Sequence, residues 1–319
     1  MCVVAFQLTY REELNTTFLR LQDKLNLLNA ARPLPNASLN SIRESLLIEW
    51  TYNSNSIEGN TLNLRETQMV LQEGITVKGK SLREHFEAKN HEHAIKYVYG
   101  LVKPAYKMTS KDILSLHALV LRVIEDDFAG RLRNASVRIS GANFIPPNAR
   151  KVPDLLDNLV DFVNKNPLQL NAIELATVFH HQFVHIHPFF DGNGRTVRLA
   201  MNLLLMKVGF PPAIILTTDR KKYYEALNQA NKGKYHKLML LVCQAVERSL
   251  NIYLSAVPNN DQDYEAISTI VKEPDVPYGQ EYVSLLARQG KIDAHKEGRV
   301  WYTTKDAILN YIVNRERKR

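Results

Sequence analysis

The chain has 319 residues, 45% of them hydrophobic, and a formal net charge of +8, enough apolar content for a substantial core and for more than one domain. No apolar run approaches the roughly 20 residues of a bilayer span, MCVVAFQLTYREEL has no basic leader region, and Cys2 and Cys243 form no CxxC pair, so we expect no membrane span, signal peptide or disulfide scaffold and a cytoplasmic protein without membrane contact. The basic balance favours anionic partners, or else reflects a lysine-rich surface.

Taken in order, the elements are mostly helical. ELNTTFLRLQDKLNLLNA repeats its apolar residues at helical spacing, and ARPLPNAS breaks the pattern. Helix resumes at Leu39 and runs through ESLLIEWTYNSNSIEGN, followed by LRETQMVLQEG and SLREHFEAKNHEHAIKYVYGLV. Pro104 marks a boundary, and TSKDILSLHALVLRVI opens with a good N-cap. In VRISGANFIPPNARKV, Val137 and Ile139 alternate with polar residues, which predicts a small β-hairpin or flap over residues 137–147. Further helices cover VPDLLDNLVDFVNKN, NAIELATVFHHQFVHIH, the strongly apolar RTVRLAMNLLLMKVG, KYYEALNQAN and HKLMLLVCQAVERSLNIYLSAV. Residues 258–263 look like a linker. Beyond them two short helices, a hairpin turning at Glu297 and Gly298, and a last helix suit a small helix-turn-helix module with a wing.

The chemistry concentrates in HPFFDGNGRTVR, residues 187–198. Pro188 breaks one helix and the next starts near Gly194. Gly192, Asn193 and Gly194 permit a tight turn whose N–H groups, at a helix N-terminus, suit phosphate. Arg195 and Arg198 share a helix face and can clamp a polyphosphate. Asp191 among phosphates calls for a cation, and Mg²⁺ takes one or two carboxylates plus phosphate oxygens. His187 at the rim can take a proton from an attacking hydroxyl. Together these point to phosphoryl or nucleotidyl transfer. Walker A and kinase signatures are absent, and His180, His181, His185 and His187 complete no zinc pattern, so the first three read as packing or helix-surface histidines.

At these residues the sequence resembles the Fic family, whose pattern H-P-F-x-[DE]-G-N-G-R-x-x-R is met at every fixed position. The resemblance covers roughly the first 250 residues and implies a mainly α fold: a Fic-type helical bundle with a small β-hairpin flap, then a small winged helix-turn-helix-like domain. The implied domains are 1–105, a helical region with an inhibitory helix; 106–257, the catalytic core; and 264–319. The implied activity is transfer of AMP from ATP to a Ser, Thr or Tyr hydroxyl of a target protein. His187 would be the base and Asp191 would hold Mg²⁺. The Gly192, Asn193 and Gly194 turn, Arg195 and Arg198 would bind phosphates, and the flap would align the target by strand addition. Tyr224 and Asn231 fall where relatives contact adenine; the alternative is a core tyrosine and a helix-end asparagine.

SNSIEGN carries Ser54-x-x-x-Glu58-Gly59, resembling the family's inhibitory motif. A Glu58 carboxylate paired with Arg198 would occupy the arginine that should hold the γ-phosphate. Glu58 could also orient a water that removes AMP from a modified target. YVSLLARQGKIDAHKEGRVWYTTKDAILNYI resembles excisionase-like regulators. There Arg288, Lys291, Lys296, Arg299, Arg315, Arg317, Lys318 and Arg319 can meet DNA phosphates or a protein, and Trp301 and Tyr302 read as core. The expected partners are a target protein, the chain itself and DNA or protein at residues 264–319, with a homo-oligomer open. The rival readings are another nucleotide donor such as UTP or a CDP-linked group, a DNA-binding regulator, and a toxin module silenced by a partner.

Overall fold

Short local signals start the helices. In this computed structural model, which describes residues 9–103, 105–139, 144–258 and 263–316, the first helices are α1 (Tyr10–Ala30) and α2 (Asn36–Ile57). Reciprocal capping boxes open α3 (Leu64–Gln68, continued by a π-helical turn Met69–Glu73) at Asn63, α4 (Leu82–Leu101) at Ser81, and α5 (Ser110–Leu121) at Thr109. Pro153 sits in the first turn of α6 (Val152–Lys165), where its missing N–H costs nothing. Asn171 caps α7 (Ala172–Ile186) through a fourth box with Glu174. α8 (Asn193–Met206), α9 (Arg220–Ala230) and α10 (His236–Leu254) complete the helical body.

α8 is the centre of that body. Every residue from 195 to 206 is buried, polar ones included. Around it one apolar cluster gathers side chains from Tyr10 on α1 to Leu254 on α10, so the N-terminal helices and residues 106–257 share a single core. Among the described residues no helix is long and apolar enough to cross a membrane.

The C-terminal segment folds around a second apolar cluster that includes Ile267, Val283, Leu286, Ile292 and Ile308. Its elements are β1 (Glu265–Ala266), α11 (Ile267–Ile270), α12 (Gln280–Arg288), β2 (Ala294–Glu297), β3 (Val300–Thr303) and α13 (Lys305–Glu316). The three strands form an antiparallel sheet in the order β1-β3-β2. Glu297 pairs with Val300 across a two-residue turn in which Gly298 takes φ 57°, the left-handed geometry such turns need. β1 is too short to show in sequence periodicity. Trp301 packs on this cluster, and Tyr302 stacks on His295 at 5.9 Å.

Two expectations are revised. The described arms of the flap, residues 137–139 and 144–147, are irregular rather than paired strands; residues 140–143 lie outside the described set. Lys296 is not a free solvated charge: its ammonium is turned inward onto Asp219 Oδ1 at 2.8 Å, and Arg248 Nε donates to its carbonyl at 2.9 Å. Arg315 donates to Tyr282 Oη, while Cys2, Pro104, residues 259–262 of the linker, Arg317, Lys318 and Arg319 lie outside the described residues.

A buried charge cluster joins the two cores. Lys24, 4% exposed on α1, donates to Asn251 Oδ1 at 2.6 Å and to Asp293 Oδ1 at 2.5 Å, and lies 3.3 Å from Glu247 Oε1. Arg20 grips Glu247 through Nε and Nη2 and reaches the Gly290 carbonyl at 3.1 Å. Two cations thus meet two carboxylates. Removing one member leaves an uncompensated buried charge, which costs about 3–5 kcal/mol. Lys24→Met is therefore expected to lower unfolding stability by that amount in urea titration; a wild-type midpoint would refute the assignment.

Candidate active site

The site is built where α7 ends and α8 begins. His187 closes α7 in the left-handed region, φ 50°, and Pro188 prevents the helix from continuing. Arg133 fixes the exit: its N–H donates to the Pro188 carbonyl at 2.9 Å and its Nε to the His187 carbonyl at 2.7 Å. Its guanidinium also reaches the carbonyl of Ala135, two residues before the flap, and that of Pro147 at its end.

His117 shapes the turn from below. Its ring stacks on Phe189 with centroids 3.6 Å apart. Gly130 N donates to Nδ1 at 3.0 Å, so the proton sits on Nε2, which donates to the Asp191 carbonyl at 3.0 Å. Burial pushes this imidazole down to about 4, keeping it neutral. Gly192 follows with φ 73°, and a Cβ there would lie 3.3 Å from the His117 ring, so glycine is required on both counts.

Gly192 brings no side chain to cap α8, so the first N–H groups of the helix remain open to an anion. Asn193 departs from the expectation that it helps hold phosphate. Its Oδ1 accepts from Phe189 N at 3.0 Å and its Nδ2 donates to Phe189 O at 2.8 Å, so the amide is spent locking the loop. Arg195, 3% exposed, lies 3.1 Å from Glu87 and 3.5 Å from Asp191. Its buried Nε has no hydrogen-bond partner among the described residues, a donor that a phosphate oxygen would satisfy.

Arg198 is held from α2 and from Glu58, the residue that ends it. Nε donates to Ser54 Oγ at 3.0 Å, Nη2 to the Ser54 carbonyl at 2.7 Å and Nη1 to Glu58 Oε1 at 2.8 Å. Burial works against the charge of Arg198, and Glu58 leads the groups, Tyr223 and Tyr224 among them, that hold it raised. The same carboxylate lies over Gly194, where an added Cβ would fall 2.1 Å from Oε1. The Glu58 carboxylate therefore lies against the first turn of α8. Gly59 takes φ 105° immediately after α2, a geometry suited to ending the helix there.

His187 faces this cradle. Its Nδ1 is buried without a hydrogen-bond partner among the described residues, although the Val184 carbonyl lies on that side. Burial first, and the Arg133 guanidinium second, push the imidazole down to about 4, so it is neutral at neutral pH. Beside the Glu58–Arg198 pair the Tyr224 ring sits under Arg220 at 5.0 Å, and its hydroxyl is 3.5 Å from the Ile57 carbonyl. Asn231 Oδ1 lies 2.8 Å from His181 Nε2 and 3.3 Å from His185 Nδ1. His185 in turn stacks on Phe144 of the flap at 4.3 Å.

His187, Asp191, Arg195, Arg198, Ser54 and Glu58 are thus brought together, with Tyr224 beside Glu58 and Asn231 on His181 and His185. Sequence reasoning missed Arg133, His117, Glu87 and Arg83, which donates to Asp191 Oδ2 at 2.9 Å. None carries a local signal; each acts through a partner distant in the chain.

The Fic/DOC family profile matches residues 107–205. A Nematostella vectensis protein named Protein adenylyltransferase Fic is 40% identical over 207 residues, 64% of this chain and 48% of that protein. The structure of C. elegans Fic-1 matches with a TM-score of 0.69 and 31% identity, over 77% of this chain and 72% of that one. A Fic domain containing signaling protein of Bacteroides thetaiotaomicron matches with a TM-score of 0.68 and 26% identity, over 76% of this chain and 96% of that one. The chain belongs to the Fic family. It spans about half the length of the curated relatives it matches.

Proposed function

We propose that the chain is a protein adenylyltransferase, moving AMP from ATP to a hydroxyl of a target protein, and that Glu58 restrains it. The reading rests on one convergence: a neutral histidine, an uncapped helix N-terminus and two buried arginines meet at the start of α8. The relatives named adenylyltransferase support it.

ATP phosphates would lie on the α8 N–H groups, with Arg195 and Arg198 neutralising the β and γ groups. His187 would take the proton of the incoming hydroxyl as its oxygen bonds to the α-phosphorus. The bond to the bridging oxygen breaks and pyrophosphate leaves. The imidazolium then loses its proton to solvent.

Among the described residues no cluster of three metal-ligating side chains exists, so there is no ready-made cage. A half-exposed Asp191 beside the phosphate cradle does fit Mg²⁺ that arrives on the nucleotide, since that ion uses one or two carboxylates plus phosphate oxygens. When bound it would neutralise phosphate charge. The division into residues 1–105, 106–257 and 264–319 is kept as a functional proposal, with the last as a partner-binding module.

The donor is tested by intact mass after the Glu58→Gly chain is incubated with Mg²⁺ and each of ATP, GTP, CTP and UTP in turn. The expected result is an AMP-sized gain with ATP alone. A different nucleotidyl mass would keep the chemistry and overturn the donor. No gain with any nucleotide, on the chain itself or on lysate proteins, would overturn the transferase.

A further inference from the structure

We propose that Arg83 is a gate on the metal site: its guanidinium serves as the counter-ion of Asp191 and must leave before a divalent cation can be held there, so that Arg83 sets the cation concentration the reaction needs. The inference rests on the transferase reading above and concerns a positioning residue that acts through Asp191.

Both carboxylate oxygens of Asp191 are occupied. Oδ1 accepts from Gly192 N at 2.6 Å. Oδ2 accepts from Arg83 Nη2 at 2.9 Å and lies 3.5 Å from Arg195 Nη2. The two guanidiniums differ in what they can do. Arg195 is 3% exposed and pinned to Glu87, so it has nowhere to go. Arg83 is 49% exposed, projects from the first turn of α4 and spans two further carboxylates, Glu125 at 3.2 Å and Glu87 at 3.5 Å.

That second set of partners makes exchange feasible. When Arg83 leaves Asp191 it still has Glu125 and Glu87, so no charge is stranded. The incoming cation replaces one positive group by another on the same oxygen. Carboxylate charge at Asp191 is thus balanced both before and after the nucleotide arrives. Ion pairs as exposed as this one contribute little, so competition is expected to weaken cation binding by only about three- to fivefold.

The test is Mn²⁺ binding to the full chain, measured from the electron paramagnetic resonance signal of free Mn²⁺ with α,β-methylene-ATP present. Arg83→Gln is expected to bind Mn²⁺ about three- to fivefold more tightly than wild type, from the same exposed-pair magnitude. Arg83→Lys, which keeps the charge, is expected to stay near wild type. Glu125→Gln, which removes the alternative partner, is expected to bind less tightly. A gain in affinity is not what a merely structural role would produce. Wild-type affinity in Arg83→Gln, with binding lost in Asp191→Asn, would overturn the gate and leave the metal reading standing. Undiminished binding in Asp191→Asn would overturn both.

Discussion

Replacing Glu58 by glycine is expected to raise the rate of AMP transfer by about ten- to a hundredfold, the equivalent of one charge-assisted hydrogen bond in a partly buried site. The carboxylate acts twice. It takes Nη1 of Arg198, and it lies against Gly194 at the helix end where a phosphate would sit. A triphosphate entering with Glu58 in place meets a like charge and one fewer donor. The substitution leaves the rest of the arrangement alone. Ser54 still holds Arg198 through Nε and Nη2, so the guanidinium stays oriented toward the cradle. Glu58 caps α2 with φ −87° and ψ 0°, which glycine adopts freely. The measurement is initial-rate automodification with α-labelled ATP. Equal rates in wild type and Glu58→Gly would remove the restraint from the account. A gain that survives Arg198→Ala in the same chain would show that Arg198 is not what Glu58 withholds.

What could be read in advance followed from how far apart the interacting residues lie in the chain. The turn at residues 187–198 is local, so its residue types already constrain one another. The Glu58–Arg198 contact spans 140 residues, yet each partner belongs to a short recognisable motif. The helices were legible through their apolar period, and the start of α5 through its N-cap. Arg133, His117 and Arg83 were not. Their contacts to His187, Asp191 and Asp191 cross 54, 74 and 108 residues, and an arginine or histidine within a helix or loop announces no partner. Alternation at Val137 and Ile139 is the pattern of a strand, but the described arms are irregular, and Arg133 and His185 meet them at Pro147 and Phe144. Lys296 misled in the opposite sense. A basic residue near a hairpin turn looks solvated until Asp219 is folded against it.

Replacing His187 is expected to cost about 10²- to 10⁴-fold in transfer, the usual contribution of a positioned general base. Asparagine is the informative substitution, because it tolerates the left-handed backbone that alanine would strain. It should be made in the Glu58→Gly chain, where the starting rate is higher. The pH profile separates a base from a packing residue. Burial and Arg133 hold the free imidazole down to about 4, so the neutral form that accepts a proton is full at neutral pH and is lost only as pH falls through that value. With Glu58 in place the acid limb of kcat/KM is therefore expected near pH 4, well below the 6.5 of an exposed histidine. Glu58 lies among the groups that raise this value, so its removal should move the limb further toward acid. Arg133 lies among those that lower it, so Arg133→Gln should move the limb toward neutral pH. A limb at 6.5 or above in the Glu58→Gly chain, or a His187→Asn rate within threefold of its parent, would take the base away from His187. Nucleotide binding would then be the whole contribution of the α8 N-terminus.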